Sequence, residues 1–240
     1  MFSLVLPFYN EEECVEEVVK SLISSIRKEK IPLKVVLVNN GSTDKTGAII
    51  EKLKQNFAEV SVVSVTKNKG YGYGILQGLT SCKTPYLGFM VGDGQTEARG
   101  VVKVVRALQK DPSLDVCKVV RLERHDGIRR QIVSFTYNLL FSFVFFLPMR
   151  DVNGTPKFLK HEAYQKMKLS STDWFIDAEL ILKAKLYDLK LKEVPSVYHE
   201  RETGQSHVKG ATFVEFLKNL VVYRLRLPFT LTLNKQRWQR

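Results

Sequence analysis

Two adjacent asparagines, Asn39 and Asn40, close an apolar run and lead into a Gly-Ser turn and Asp44, in VVLVNNGSTDKT (35–46). Uncharged amides at the mouth of a buried strand offer a ligand both hydrogen-bond donors and acceptors. Three other stretches share this polar character. PFYNEEE (7–13) presents Pro7, which interrupts a strand ladder, the flat ring of Tyr9, and Asn10 and Glu11 at the start of a helical pattern. Taken alone, those residues could simply cap that helix. TKNKGYGYG (66–74) carries Asn68 and Gly70, and GDGQTEARG (92–100) carries Gly92, Asp93 and Gln95.

The elements around these stretches give them a common place. FSLVL (2–6), KVVLV (34–38), VSVVSV (60–65) and YLGFMV (86–91) are short aliphatic runs of strand type, and each ends in one of the four polar stretches. Between the first two, Glu11 to Ile26 sets Val15, Val18, Val19, Leu22, Ile23 and Ile26 at three- and four-residue spacing, the pattern of an amphipathic helix. Thr43 to Phe57, Tyr73 to Ser81 and Val101 to Lys110 supply further helices, and DVCKVVR (115–121) a further strand. Strands alternating with crossover helices predict an open, mainly parallel α/β sheet, whose ligands bind at the carboxyl ends of the strands.

The remainder has a different character. IVSFTYNLLFSFVFFLPM (132–149) is the most apolar segment, yet it contains Ser134, Thr136, Asn138 and Ser142 and is slightly short for a bilayer span, which needs about 20 residues. It reads as a helix lying in a membrane interface or against a partner, with a core helix and a true span as the alternatives. Ala211 to Leu227 sets Phe213, Phe216, Leu217, Leu220, Val221 and Leu225 on one predicted face, with Lys218, Arg224 and Arg226 at its edges. That is a basic amphipathic helix, or else a docking helix packed on the main domain. The tail NKQRWQR adds further positive charge. The expected division is a catalytic domain over 1–210 and a C-terminal helix and tail over 211–240.

A formal net charge of +12 calls for an anionic partner: nucleic acid, a phosphorylated ligand or an anionic membrane surface. The basic residues do not cluster into a nucleic-acid-binding motif, which disfavours the first. The three cysteines, Cys14, Cys82 and Cys117, are widely spaced and odd in number, so reduced thiols in a cytosolic protein are expected. The N-terminus lacks the basic and long apolar regions of a signal peptide.

In order, the motifs resemble those of the inverting glycosyltransferases of family 2, which have the GT-A fold. P-x-Y-N-E and the later G-S-T-D match its opening, and NKGYGYGILQGL (68–79) matches its N-x-G-x-G-x-A-x-x-x-G, with Gly74 in place of the alanine. GFMVGDGQ (88–95) falls where the family has its metal-binding D-x-D-x-Q. Arg121 ends a strand where the polyprenyl-phosphate branch has G-S-R. DVNGTPKF (151–158), DAELILKAKLYDLKLKEVP (177–195) and RETGQSH (201–207) are similar to later motifs of the dolichol-phosphate mannose and glucose synthases.

The resemblance implies a GT-A, Rossmann-like sheet and transfer of a hexose from a nucleotide sugar, GDP- or UDP-linked by preference, to a polyprenyl phosphate. The enzyme would sit peripherally on the cytosolic face of a membrane. It assigns nucleotide-sugar contacts to Pro7, Tyr9, Asn10, Glu11, Asn39, Asn40, Asp44, Asn68, Gly70, Gly92 and Asp93. Catalytic roles fall to Asp93 and Arg201, and phosphate or acceptor contacts to Arg121, Arg201, Ser206, His207 and Lys209. Arginine's planar fork suits phosphate oxygens, and a lipid phosphate, already ionised, needs no strong general base. A divalent cation, Mg2+ or Mn2+, would be held by Asp93 and Gln95 and would neutralise the leaving diphosphate.

Three departures qualify the match. Asn39-Asn40 replaces the family's acidic pair, Val91-Gly92-Asp93 lacks the first acid of D-x-D, and Ser206-His207 replaces S-K. Fewer carboxylates imply weak metal dependence, because hard cations prefer charged oxygen ligands. Asn39 could contact uracil or guanine through its oxygen, or face a base without that N–H. A glycan acceptor and a non-catalytic nucleotide-binding homologue are the alternatives.

Overall fold

A computed structural model of the chain describes residues 1–94, 98–124, 127–198, 210–226 and 238–239. The elements run β1 (Phe2–Phe8), α1 (Val15–Lys28), β2 (Leu33–Asn40), α2 (Thr46–Asn56), β3 (Val60–Val65), α3 (Tyr71–Ser81), β4 (Tyr86–Phe89) and α4 (Ala98–Lys110). They continue with β5 (Val116–Arg124), α5 (Ile128–Phe145), β6 (Lys157–Lys160), α6 (His161–Met167), α7 (Ile176–Leu186), β7 (Leu191–Tyr198), α8 (Gly210–Arg226) and the short β8 (Trp238–Gln239).

The strands form one sheet in the order β3-β2-β1-β4-β6-β5-β7-β8. All neighbouring pairs are parallel except those of β6, which runs antiparallel between β4 and β5. Side chains alternate across the strands, so each face of the sheet carries its own core. Leu4, Leu6, Phe8, Val35 and Leu37 pack with α1, α2 and α4. Val5, Val36, Val38, Leu87 and Phe89 pack with α3, α5 and α7.

The expected βα units are all present, with shifted ends. The first helix begins at Val15 rather than Glu11, because Glu11 is drawn into loop contacts, and it buries Val15, Val19, Leu22, Ile23 and Ile26 as the periodicity required. The third begins at Tyr71 rather than Tyr73. The first two strands run on to Phe8 and Asn40. Sequence reading passed over β6, a four-residue strand whose KFLK pattern is too short to show a period. Pro7 sits inside β1, where pairing with β4 has already stopped at Val5 and Phe89 while pairing with β2 continues to Phe8 and Asn39. The strands diverge there, at the point where the strand order reverses, and open the crevice that such folds use for ligands.

The apolar segment forms α5, shifted to Ile128–Phe145. It ends where Phe146 takes a left-handed conformation (φ 51°) two residues before Pro148. Its inner face buries Tyr137, Phe141 and Phe145. Two polar residues that interrupt the segment hold the following loop: Val152 N donates to Asn138 Oδ1 at 2.9 Å, and Met149 N to Ser142 Oγ at 3.2 Å. The outer face leaves Ile132, Phe135, Leu139 and Phe143 more than half exposed. Among the described residues no helix is long and apolar enough to cross a membrane.

The C-terminal helix differs from the single apolar face expected of it. Leu220 is buried, and Phe216 and Tyr223 pack on the core, while Leu217, Val221 and Leu225 face outward. The apolar stripe is wider than one contact row, so packing against α5 and the loop before α7 takes half of it.

Candidate functional site

The loops after β1 and β2 are stitched together by residues that read as ligand contacts. Asn10, in a left-handed conformation (φ 52°), donates its N–H to Ser42 Oγ at 3.2 Å and accepts from Thr43 N at 2.8 Å through Oδ1. Glu11 N donates to Thr46 Oγ1 at 2.8 Å. Asp44 accepts from Thr46 N at 2.9 Å and Glu12 N at 3.2 Å, while Lys45 N donates back to Glu12 Oε2 at 3.0 Å. Burial opposes the charge of Asp44, but the hydrogen bonds from Thr46 and Glu12 outweigh it and hold its carboxyl below the ordinary range. The polar stretches thus form a rigid rim along the carboxyl ends of β1 and β2. Asn10 and Asp44 shape this rim by binding backbone.

The two asparagines divide. Asn39 is half-buried, and its Oδ1 accepts from Ser42 N at 3.0 Å, closing the turn after β2. Asn40 is buried and turned toward the neighbouring loop, where its Nδ2 donates to Gly70 O at 3.0 Å, and its Oδ1 has no hydrogen-bond partner among the described residues. Asn68 joins the same loop by accepting from Gly70 N at 2.7 Å. Gly70 adopts φ 113°, open to glycine, and a Cβ there would strike the Thr172 carbonyl.

Asp93 rises from the loop after β4, half-buried, beside the opening between β1 and β4. Gly92 has no room for a side chain, because its Cβ would meet the Phe8 ring. Cys14 Sγ lies 3.2 Å from Glu11 Oε2 and 3.7 Å from the Gly92 carbonyl, tying the start of α1 to the aspartate loop. Among the described residues no three His, Cys, Asp or Glu side chains are grouped to hold a metal. A single carboxylate still fits a Mg2+-type ion, which takes one or two carboxylates and completes its shell with substrate phosphates and water.

Arg121, expected at a phosphate, is committed to a partner. Its Nε and Nη2 engage Asp151 Oδ2 and Oδ1 at 2.8 and 2.7 Å, and its backbone N–H donates to the same carboxylate at 3.0 Å. Burial alone would raise the pKa of Asp151, but the adjoining guanidinium, with Lys118, holds it well below the usual carboxylate range. Below this pair lie two fully buried lysines. Lys118 donates to Asp151 O at 2.5 Å, Val119 O at 2.8 Å and Glu193 Oε1 at 3.0 Å. Lys157 pairs with Asp177 and donates to Gly154 O at 2.9 Å. Burial pushes Lys157 down to about 8 and raises Asp177.

Sequence reading missed the loop before α7. Ser171, Thr172 and Asp173 lie against the loop before α3: Tyr73 N donates to Thr172 O at 2.9 Å, and Trp174 stacks on Tyr71 with ring centroids 4.3 Å apart. Glu179, fully buried, fixes this loop by accepting from Ser170 N at 3.0 Å and Ser171 N at 2.7 Å. The only local signal was the SSTD cluster ahead of a helical pattern, which reads as an ordinary cap. Gln95, Arg201, Ser206, His207 and Lys209 lie outside the described residues.

A crevice at the switch point of a mainly parallel sheet, rimmed by glycine and amide loops with Asp93 beside it, is the ligand position of the doubly wound α/β class. The profile described as Glycosyl transferase family 2 matches residues 3–168, and the chain belongs to that family. It is 26% identical to the dolichyl-phosphate beta-glucosyltransferase of Saccharomyces cerevisiae, over 93% of this chain and 74% of that one. It is 24% identical to the dolichol-phosphate mannosyltransferase of Pyrococcus furiosus, over 93% of this chain and 63% of that one. The undecaprenyl-phosphate 4-deoxy-4-formamido-L-arabinose transferase of Salmonella choleraesuis is 23% identical, over 95% and 69%. Among solved structures, glucosyl-3-phosphoglycerate synthase from Mycobacterium tuberculosis, crystallised with Mn2+ and UDP-glucose, superposes with a TM-score of 0.73 at 17% identity, over 95% of this chain and 80% of that one. That likeness supports the GT-A fold.

Proposed function

We propose that the protein transfers a hexose from a nucleoside-diphosphate sugar to a polyprenyl phosphate, with inversion, while docked on the cytosolic face of a membrane. The observation that carries this reading is the stitched rim of the β1 and β2 loops beside Asp93, which forms a preorganised crevice at the switch point of the sheet. The donor is a uridine or guanosine diphosphate sugar. Its base lies toward Tyr9 and Asn39, whose carbonyl oxygen keeps a second lone pair for a base N–H. Its diphosphate lies toward Asp93.

Asp93, with Gln95, would hold a divalent cation through their oxygens, and the ion when bound offsets the charge of the departing diphosphate. The chain's own residues supply position. The stitched loops fix the donor, and Arg201, His207 and Lys209, which follow β7, supply cations for the acceptor phosphate. Arg121 serves indirectly, because its guanidinium already binds Asp151 bidentately. The acceptor phosphate is its own nucleophile, so the site needs no strong base.

The lipid acceptor accounts for the outward faces of α5 and α8. Phe143 is 74% exposed and Leu225 82% exposed, and the Arg224 guanidinium sits 5.8 Å from the Phe146 ring. Apolar rows edged by cations suit an anionic lipid interface.

The test is a transfer assay with several radiolabelled nucleotide sugars, with and without polyprenyl phosphate, alongside thermal shifts with UDP, GDP and CDP in the presence and absence of Mn2+. Transfer that requires polyprenyl phosphate and is abolished by Asp93→Ala is expected. Transfer to a glycan regardless of prenyl phosphate, or no turnover with any donor, would overturn the reading.

A further inference from the structure

We propose that Asn219 and Tyr223 of the C-terminal helix α8 are positioning residues of the donor site, an inference that rests on reading the β1–β4 loops as that site. They do not reach the crevice themselves. Asn219 Nδ2 donates to Asp173 Oδ2 at 2.7 Å, and the Tyr223 hydroxyl lies 2.7 Å from Ser171 Oγ. The Tyr223 ring also packs on Phe175, with centroids 4.4 Å apart. One helix face therefore grips both ends of the loop before α7.

That loop in turn forms the wall of the donor loop. The Thr172 carbonyl accepts from Tyr73 N at 2.9 Å, in the first turn of α3. At Gly70 and Gly72 the two backbones are so close that a Cβ at either would strike the Thr172 or Ser171 carbonyl. The Gly70 carbonyl is thereby fixed where Asn40 Nδ2 meets it at 3.0 Å. The contacts run without a gap from α8, through residues 171–175, to the rim of the crevice. Each step is a short polar or close backbone contact, so a displacement at one end is passed on rather than absorbed.

The arrangement assigns α8 two tasks on two faces. Its inner face sets the donor loop, while its outer face carries Leu217, Val221 and Leu225. The sequence motifs of the donor site lie far from residues 219 and 223, and nothing in those motifs points to α8.

The experiment uses the full chain and the probe nucleotides UDP and GDP with Mn2+, measured by calorimetry, together with donor KM and kcat. The Asn219→Ala, Tyr223→Phe double variant is expected to bind the nucleotide about 5- to 10-fold more weakly. Donor KM should rise by the same factor, with kcat within about twofold of the unmodified protein. If the double variant fails to fold, Tyr223→Phe alone carries the test, since it removes one oxygen atom and keeps the ring. In a Ser171→Ala background the effect of Tyr223→Phe should shrink, because the hydroxyl then loses its partner at 2.7 Å. Unchanged nucleotide affinity and KM in the folded variants, or a Tyr223→Phe effect that persists in full without Ser171, would overturn the proposal. If the unmodified protein binds neither nucleotide, the donor-site reading falls instead, and this proposal with it.

Discussion

Asn40 and Gly70 are joined by a side-chain amide to backbone carbonyl hydrogen bond of 3.0 Å, in a buried position between the second and third strand loops. Position 40 must donate, which a carboxylate cannot do. The second asparagine, in place of an acid, is thus a structural requirement of this chain. Asn40→Asp is expected to set a buried carboxylate against the Gly70 carbonyl and to cost about 1–3 kcal/mol of stability. The loss should be larger at pH 8 than at pH 5, because only the ionised form is repelled. Chemical denaturation at the two pH values checks this, and equal stability to the unmodified protein would contradict it.

The glycine at position 74 follows from the same contact. A Cβ there would lie 2.9 Å from both Cγ and Nδ2 of Asn40, closer than real side chains approach. Gly74→Ala, though it raises helix propensity, is therefore expected to destabilise by about 1–3 kcal/mol through overpacking. In an Asn40→Ala background the same change should cost little. A thermal-shift cycle of the four proteins measures the coupling, and simple additivity would show that the two positions do not touch.

The ion pair of Asp151 with Arg121 gives a pH dependence of definite sign. The folded state depresses the Asp151 pKa, so the pair's contribution is fully present above the unfolded value of about 4 and is lost as pH falls toward the folded one. Asp151→Asn should remove that acid-side dependence. It should also cost about 3–5 kcal/mol at neutral pH, since Arg121 and Lys118 lose a buried counter-charge. Urea melts from pH 7 down to pH 3 test both statements. A variant with an unchanged acid limb would show that other groups set it.

The exposed rows of α5 and α8 predict binding to anionic vesicles. Phe143→Ser with Val221→Ser removes apolar surface from both helices without touching the buried rows that carry Phe141 and Leu220. Partition onto vesicles containing phosphatidylserine should fall about tenfold or more, given about 1.5–3 kcal/mol for each large apolar side chain buried. Nucleotide binding in solution should be unaffected. Flotation on a density gradient reads the first and calorimetry the second.

Much of the architecture was legible because its signals are local. The spacing of Val15, Val19, Leu22, Ile23 and Ile26 is enough to set α1 against a sheet, and VSVVSV reads as β3 without help from any partner. The alternation of such segments places NNGSTDKT and GDGQTEARG at strand ends, which located the candidate site. Short β6 and the exact limits of α5 were not legible. A four-residue strand has too few alternations to show, and a helix end depends on a left-handed residue such as Phe146 that no periodicity marks.

The partners of polar side chains belonged to the tertiary structure alone. Sequence could place Arg121 at a strand end but could not show that Asp151, 30 residues on, takes its guanidinium in a bidentate grip. It could mark Asn39 and Asn40 as a pair but could not send one to close its own turn and the other to the Gly70 carbonyl. It could count the apolar residues of α8 but could not divide them between core and surface. The reason is common to all three cases. Periodicity and turn chemistry act over a few residues and survive in the linear chain, whereas the direction of a hydrogen bond or a packed ring is fixed by atoms that only folding brings within a few ångströms.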